Sequence, residues 1–198
     1  RRTHDEMLQE VRNISSMLKD IPAAERPYFE GSLSTAFGCS FEGKVSETAV
    51  VRFAEQLMEA GCAEVGLSDT TGYANPTQVR RLISLVRGAV GDDKLTGVHL
   101  HNTRGLGLAN VLAALDEGIT TFDSSLGGLG GCPAAPGASG NIVTEDLVFM
   151  LEAMGVKTGI DVERLLAVRE IIIKALPNEE MYGFTPDSGL PKGFIDAI

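Results

Sequence analysis

The sequence predicts an α/β fold built around a parallel β-sheet. Four short strand-like stretches alternate with longer segments of helical periodicity, and each helical segment is long enough to cross back to the next strand. A strand–helix–strand order of this kind requires parallel strands with the helices packed outside the sheet. The alternation, rather than any single motif, therefore sets the fold class.

Local patterns support each element in chain order. Thr3 and Glu6 have capping-box spacing and open an amphipathic helix that ends before Pro22. Ser46 and the pair Asn75–Pro76 mark the starts of two further helices, because serine and asparagine cap helices and proline is favoured in the first turn. The remaining helices are predicted over 106–118, 144–155 and 161–176. The predicted strands cover 28–37, 63–69, 95–102 and 119–125.

Two architectures fit this order: an open doubly wound sheet and a (β/α)8 TIM barrel. No GxGxxG motif follows the first strand, which argues against a dinucleotide-binding sheet. A complete barrel needs about 250 residues and eight strands. In a barrel, this chain would supply about four C-terminal βα units plus a flanking helix over residues 1–177. A glycine- and proline-containing tail, residues 178–198, is predicted to pack loosely.

Composition excludes several classes of function. The 198 residues are 43% hydrophobic and carry a formal net charge of −10. An acidic chain offers no basic face for phosphates, so we expect no nucleic-acid partner. There is no apolar run near twenty residues and no signal-peptide pattern, so we expect a cytoplasmic protein without a membrane partner. The three cysteines are widely spaced and are expected to be reduced.

A His-x-His pair is the first candidate site. His99 and His101 lie two residues apart on a predicted strand, so both rings project from one face. They fall near the carboxyl end of the strand, where barrel enzymes keep their active sites. Two imidazoles in this arrangement suit a divalent cation. The alternative from the residues alone is a hydrogen-bonded histidine pair without a ligand.

Three more candidates lie at the ends of predicted strands. Cys132 lies in the glycine-rich stretch SSLGGLGGCPAAPGASGN, outside any periodic apolar segment, and is either a reactive thiol or an inert loop residue. Asn141 is the last residue of that stretch and is either a ligand or a cap or turn residue. Asp69 ends the second strand, where a carboxylate can bind a cation, accept a proton or cap the loop.

These motifs resemble those of the hydroxymethylglutaryl-CoA lyase family. The glycine-rich stretch resembles the family's cysteine-bearing flap, and HLHNTRGLGLANVLAAL resembles its metal-binding strand and following helix. FGCSFEGK, GLSDTTGYANP and NIVTEDLVFMLEAMGV continue the resemblance in order over about 28–160. It implies a TIM barrel of the metal-dependent lyase and Claisen-synthase superfamily.

The resemblance also implies roles for individual residues. His99, His101 and Asn141 match the metal ligands, and Cys132 matches the catalytic flap cysteine. The other implied positions are Asp69 as an acidic residue near the substrate, and Thr70 and Glu145 as substrate-binding residues. The family's aspartate ligand and enolate-stabilising arginine lie on a first strand that has no counterpart here. Asn102 stands where aspartate is usual, and Phe41 and Ala134 also depart from the family pattern.

The implied reaction is retro-Claisen cleavage of hydroxymethylglutaryl-CoA, or a related 3-hydroxyacyl-CoA, to acetyl-CoA and a ketoacid such as acetoacetate. The resemblance also implies Mg²⁺ or Mn²⁺ as the cofactor, with Zn²⁺ or Co²⁺ as alternatives. It further implies an acyl-CoA substrate, a homodimer and a role in leucine catabolism. His99 or Asp69 would take the hydroxyl proton, and Cys132 would deliver a proton to the enolate carbon. The alternatives are a Claisen-type acyltransferase of the isopropylmalate or homocitrate synthase kind, and an inactive truncated half-barrel.

Overall fold

A computed structural model of the chain describes residues 2–131 and 140–197. Within these residues the helices and strands follow the predicted order. The strands are β1 Glu30–Leu33, β2 Glu64–Asp69, β3 Gly97–Leu100 and β4 Thr121–Asp123. The helices are α1 His4–Lys19, α2 Glu47–Glu59, α3 Pro76–Val90, α4 Gly107–Asp116, α5 Thr144–Ala153, α6 Val162–Ala175 and α7 Phe184–Ser188. None of these helices combines the length and apolar character needed to span a membrane.

The helix boundaries follow the local sequence signals. Both bonds of the capping box form at α1: the Thr3 hydroxyl accepts from the Glu6 N–H, and the Glu6 carboxylate accepts from the Thr3 N–H. At α3 the Asn75 side chain accepts from the Gln78 N–H, while Pro76 occupies the first helical position. Each bond satisfies an N–H that the helix leaves without a partner. Sequence signals alone therefore define where these two helices begin.

The four strands are all parallel and lie in the order β1-β2-β3-β4. A doubly wound sheet would reverse its strand order at a switch point, and this sheet has no reversal. Helices α2, α3 and α4 contact one another in succession and cover one face of the sheet. This is the arrangement of four consecutive βα units of a barrel, so the structure confirms the barrel prediction over the open sheet.

The two faces of the sheet differ in chemistry. In register across the strands, one row consists of Leu33, Leu67, Val98 and Phe122, and it packs against the helices. The adjacent row contains Ser68, His99 and Asp123, which lie on the opposite face. Because side chains alternate along each strand, the apolar row fixes the polar row next to it. The polar face corresponds to the barrel interior and carries the candidate site.

The first strand is shorter than the predicted 28–37. The chain leaves the sheet after Leu33 because Thr35 adopts a positive φ of 56°. The backbone N–H of Thr35 then bonds the Thr70 hydroxyl at 3.0 Å, and the N–H of Ala36 bonds the Ser68 carbonyl. Side-chain and backbone contacts to the end of β2 therefore replace the extended conformation that the apolar residues suggest.

Residues 178–197 are mostly exposed, yet several hydrogen bonds attach them to α5 and α6. Asp146 in the first turn of α5 accepts from the N–H groups of Phe184 and Thr185, at 3.0 and 2.7 Å, and so caps α7. Farther along, Glu152 accepts from the N–H of Ala197 at 2.6 Å. The tail thus follows the surface of α5 and has defined anchor points on that helix.

Candidate metal-binding active site

The two histidines of the His-x-His pair face each other on the polar side of the sheet. The Nε2 atoms of His99 and His101 are 3.2 Å apart, and the rings lie at 61° to one another. The intervening Leu100 is fully buried on the other face, as alternation along a strand requires. His101 is buried and His99 half-buried. The strand therefore presents two imidazole nitrogens towards one point, near its carboxyl end.

Asn141, the last residue of the glycine-rich segment, lies next to this pair. The backbone around Asn141 pairs with the end of β3: it forms an antiparallel bridge with His101, and the N–H of Ile142 bonds the Leu100 carbonyl. The Asn141 side-chain NH₂ donates to the Leu129 carbonyl at 2.8 Å. Its Oδ1 is buried and has no hydrogen-bond partner among the residues that the structure describes. One amide oxygen is thus oriented and left free.

Two glycines permit this approach of the segment to β3. Gly130 has a φ of +100°, and a Cβ there would lie 2.8 Å from the Asn141 side-chain nitrogen. Gly140 has a φ of +109°, and a Cβ there would collide with the Gly128 carbonyl oxygen. Both positions require a positive φ, which residues other than glycine rarely adopt, and at both a Cβ would come too close to neighbouring atoms. The glycines at 130 and 140 are therefore explained by how closely the described ends of the segment pack.

The donor atoms fit a divalent cation that accepts mixed nitrogen and oxygen ligands. His99 and His101 offer imidazole nitrogens and Asn141 offers the free amide oxygen, a set suited to ions such as Mn²⁺. Burial lowers the pKa of His101, and the proximity of His99 lowers it further, which favours the neutral, ligating form. In the described part of the chain, no group of three or more histidine, cysteine, aspartate or glutamate residues is arranged to hold a metal. Any cation here would therefore rely on the amide and on ligands from outside these residues.

Sequence reasoning missed Asp123, which contacts His99. Its Oδ2 lies 3.1 Å from His99 Nδ1, the ring nitrogen that points away from His101. The two residues are direct partners in the register of β3 and β4. The alternation of FDSS indicates that Asp123 faces the same side of the sheet as His99. Predicting their contact also requires the pairing register of β3 and β4, which a helix separates in sequence.

Asp69 and Thr70, at the end of β2, form hydrogen bonds to neighbouring backbone. The Asp69 carboxylate is fully buried and accepts from the N–H groups of Tyr73 and Ala74. In register it pairs with Leu100, whereas Ser68 pairs with His99, so its side chain leaves the strand on the opposite face from His99. Burial raises the pKa of Asp69 to about 6, against the opposing effect of the backbone hydrogen bonds and Arg104. The structure therefore shows a capping role, and the roles of Asp69 and Thr70 towards a substrate stay predictions.

Glu145 lies within a buried ion pair, and not beside the histidines. Its carboxylate is 2.9 Å from Nη1 of Arg169 on α6 and also accepts from the N–H of Gly127. Arg169 donates in turn to the Tyr182 carbonyl, and the Tyr182 N–H bonds the Gly127 carbonyl. We name these four residues the loop anchor. Its partners explain the burial of Glu145, and the substrate-binding role stays a prediction.

The remaining predicted residue, Cys132, lies outside the residues that the structure describes. The other two cysteines are free thiols: Cys62 is buried behind β1, and Cys39 lies in the loop after β1. The structure therefore brings together His99, His101 and Asn141. It separates Asp69 and Glu145 from them by register and by burial.

Comparison with known proteins gives a consistent result. Residues 1–172 match the family model described as HMGL-like. A hydroxymethylglutaryl-CoA lyase of Bacillus subtilis is 46% identical over 156 residues, covering 77% of this chain and 52% of that protein. An (R)-citramalyl-CoA lyase of Chloroflexus aurantiacus is 47% identical over 142 residues, covering 72% and 44%.

A solved structure agrees with these sequence matches. An HMG-CoA lyase from Acinetobacter baumannii, in complex with coenzyme A and 3-methylmalate, superimposes with a TM-score of 0.82 at 42% identity. The match covers 94% of this chain and 60% of that structure. The chain thus spans about half the length of the curated relatives that it matches.

Proposed function

The chain belongs to the HMGL-like family, and we propose that the complete protein containing it is a CoA-ester lyase acting on hydroxymethylglutaryl-CoA or a close analogue. In the proposed reaction, the C3 hydroxyl loses a proton and the C2–C3 bond breaks. The electrons of that bond pass to the thioester enolate, and a proton at C2 completes acetyl-CoA. The other product is a ketoacid, which is acetoacetate for hydroxymethylglutaryl-CoA. The enzyme names of the relatives support this class of substrate.

One observation carries the proposal: two imidazole nitrogens lie 3.2 Å apart near the carboxyl end of β3, and Asn141, whose amide oxygen has no partner among the described residues, pairs with His101 there. Barrel enzymes bind substrate at this end of the sheet. The unpartnered oxygen of Asn141 supports a ligand role because Asn141 pairs with His101 at the end of β3, next to the two imidazoles; Asn110 has a similar oxygen away from them.

We infer that His99, His101 and Asn141 hold Mg²⁺ or Mn²⁺ in the loaded enzyme. Such a cation supplies Lewis acidity, which lowers the pKa of a bound hydroxyl and orients it. His99 has Nδ1 directed to Asp123 and Nε2 directed to the candidate cation position. This leaves no free ring nitrogen on His99 to act as a base. Asp69 is the other predicted base, and because its buried carboxylate leaves β2 on the opposite face from His99, it would take up the hydroxyl proton through water and not by direct contact.

Asp69 and Cys132 are the proposed groups for the two proton transfers. A carboxyl group whose pKa is about 6 exchanges protons readily near neutral pH, which suits a general base. Cys132 follows Gly131 on the glycine-rich segment and would protonate the enolate carbon. Thr70 and Glu145 are proposed to act indirectly, since Thr70 holds the turn after β1 and Glu145 holds the start of the segment.

The test is acetyl-CoA release by the complete protein, with Mn²⁺ present, from hydroxymethylglutaryl-CoA and from citramalyl-CoA. We expect cleavage of at least one substrate, and loss of at least about 100-fold in kcat for Asp69→Asn or Cys132→Ala, the size expected when a general acid or base is removed. Cys39→Ala is the matched control, because its thiol lies in another loop. Carbon–carbon bond formation from acetyl-CoA and a ketoacid, without cleavage of either substrate, would instead identify a Claisen-type acyltransferase and contradict the proposal.

A further inference from the structure

We propose that Asp123 is a positioning residue that fixes the ring and the tautomer of His99, so that Nε2 presents a lone pair to the cation. This inference rests on the metal site proposed above and adds a residue to it. Histidine ligands commonly donate their second ring N–H to a carboxylate, which orients the ring and raises its basicity. The pair formed by Asp123 and His99 has this form.

The geometry assigns Asp123 to His99. The two residues lie side by side in the parallel register of β3 and β4, with Oδ2 at 3.1 Å from Nδ1. In the part of the chain that the structure describes, Asp123 has no second hydrogen-bond or ion-pair partner. Its side chain is 66% exposed, and that of His99 is 32% exposed. Such an exposed pair contributes little to folding stability. The main effect of Asp123 is therefore expected on the orientation and tautomer of the His99 ring, and not on folding stability.

The placement of the ring hydrogens on the two histidines leads to the same assignment. A carboxylate can only accept, so His99 Nδ1 carries the hydrogen and His99 Nε2 is a lone pair. If the 3.2 Å contact between the Nε2 atoms is a hydrogen bond in the metal-free protein, His101 Nε2 is its donor. His101 Nδ1 is left as a bare acceptor, in agreement with its lack of a partner in the structure. His99 is preset as a ligand, whereas His101 must exchange its proton between ring nitrogens before it can bind a cation.

The first experiment measures Mn²⁺ affinity in the complete protein by electron paramagnetic resonance of free Mn²⁺. Asp123→Ala is expected to weaken binding by about 10–100-fold, the range found for residues that orient metal ligands. Asp123→Asn keeps an acceptor for the Nδ1 hydrogen and is expected to lose less. The matched control is Asp116→Ala, which removes an exposed carboxylate paired with Arg80 on the outer helices. That control should leave affinity unchanged.

A second measurement reports on the tautomer without metal. Long-range ¹⁵N–¹H correlation of the imidazoles should show His99 as the Nδ1–H tautomer in the unsubstituted protein, and a shift towards Nε2–H in Asp123→Ala. A diamagnetic ion such as Mg²⁺ should then change the tautomer of His101 but not that of His99. A residue with a purely structural role would move neither signal.

The outcomes separate this inference from the proposed function. If the unsubstituted protein binds no Mn²⁺, the metal site itself is wrong. If it binds Mn²⁺ and Asp123→Ala binds equally well with the His99 tautomer unchanged, the positioning role of Asp123 is wrong while the metal site stands. Weakened binding in Asp123→Ala, with wild-type affinity in Asp116→Ala, supports both.

Discussion

The loop anchor binds the start of the glycine-rich segment at Gly127, and the histidine cluster includes its last residue, Asn141; the two differ in how their polar groups are satisfied. In the loop anchor, the charges of Glu145 and Arg169 are buried, paired and hydrogen-bonded to backbone. In the histidine cluster of His99, His101 and Asn141, His101 Nδ1 and Asn141 Oδ1 are buried without a partner in the described part of the chain. An unpaired buried polar atom costs about 1–3 kcal/mol. The first region is complete without a ligand, and the second gains from one.

This contrast separates two roles that sequence cannot distinguish. Glu145 and Asn141 are four residues apart, and family resemblance assigns both to the active site. Their surroundings differ because one lies in the first turn of α5, facing α6, while the other pairs with β3. The anchor binds Gly127 at the start of the segment, whereas Asn141 at its end contacts Leu129 and β3 and offers an oxygen to the histidine cluster.

The largest expected effect comes from breaking the loop anchor. Arg169→Met removes the partner of a fully buried carboxylate and leaves its charge uncompensated. We expect the free energy of unfolding to fall by about 3–5 kcal/mol. Urea denaturation of the complete protein, followed by circular dichroism, measures this loss.

The control for this prediction is the double variant Glu145→Gln with Arg169→Met. It removes both charges, so its free energy of unfolding should lie well above that of Arg169→Met alone. A single variant as stable as the unsubstituted protein would mean that the ion pair of Glu145 and Arg169 does not stabilise the fold.

The sequence predicted the order of elements and the convergence of the histidines, because both follow from local periodicity. Alternation around Leu100 was sufficient to place His99 and His101 on one face. It did not reveal Asp123 or Arg169, since these contacts depend on strand register and on helix packing across 24 residues each. Asp69 illustrates the same limit: its position at a strand end was predicted, but the turn that its carboxylate caps depends on the backbone of 72–74.

The next largest expected change in stability concerns Asp69. Its carboxylate oxygens accept hydrogen bonds, as those of Glu145 do, but in the described part of the chain no cationic side chain is hydrogen-bonded to it. Its folded pKa of about 6 lies above the unfolded value of about 3.9. The folded state therefore binds more protons between these values, and stability falls as pH rises from about 4 to about 6. At pH 7 the ionised group costs up to about 3 kcal/mol.

Asp69→Asn tests this directly. The amide oxygen can still accept from Tyr73 and Ala74, so the variant should lose this pH dependence and be more stable at pH 7. Unfolding free energies at pH 4.5 and pH 7 give the comparison. An unchanged pH dependence in the variant would show that Asp69 titrates normally.

A smaller effect is expected at the histidine cluster itself. Mn²⁺ at 100 times its dissociation constant should raise the free energy of unfolding by about 2.7 kcal/mol. Asn141→Ala removes the oxygen ligand, so the increment at the same Mn²⁺ concentration should shrink. Thermal or urea unfolding with and without Mn²⁺ measures the increment.

Asn110 provides a matched control for that experiment. It is also buried, and its NH₂ also donates to a backbone carbonyl, that of Ala74. Its Oδ1 likewise has no partner within residues 2–131 and 140–197. It lies on α4, on the helical side of the sheet. Asn110→Ala should therefore lower stability without metal while keeping the full Mn²⁺ increment. Equal increments in both variants would contradict the assignment of Asn141 as a ligand.

The smallest effect tests where the histidine cluster ends. Asn102 follows His101 directly, yet its Oδ1 accepts from the N–H of Gly107 at the start of α4, at 2.9 Å. By the criterion of satisfied atoms it belongs with the structural groups. Asn102→Ala should then cost about 1 kcal/mol, as loss of a helix-capping bond does, and leave the Mn²⁺ dissociation constant unchanged. If Asn102→Ala weakens Mn²⁺ binding as strongly as Asn141→Ala, the presence or absence of a hydrogen-bond partner does not distinguish structural residues from metal ligands here.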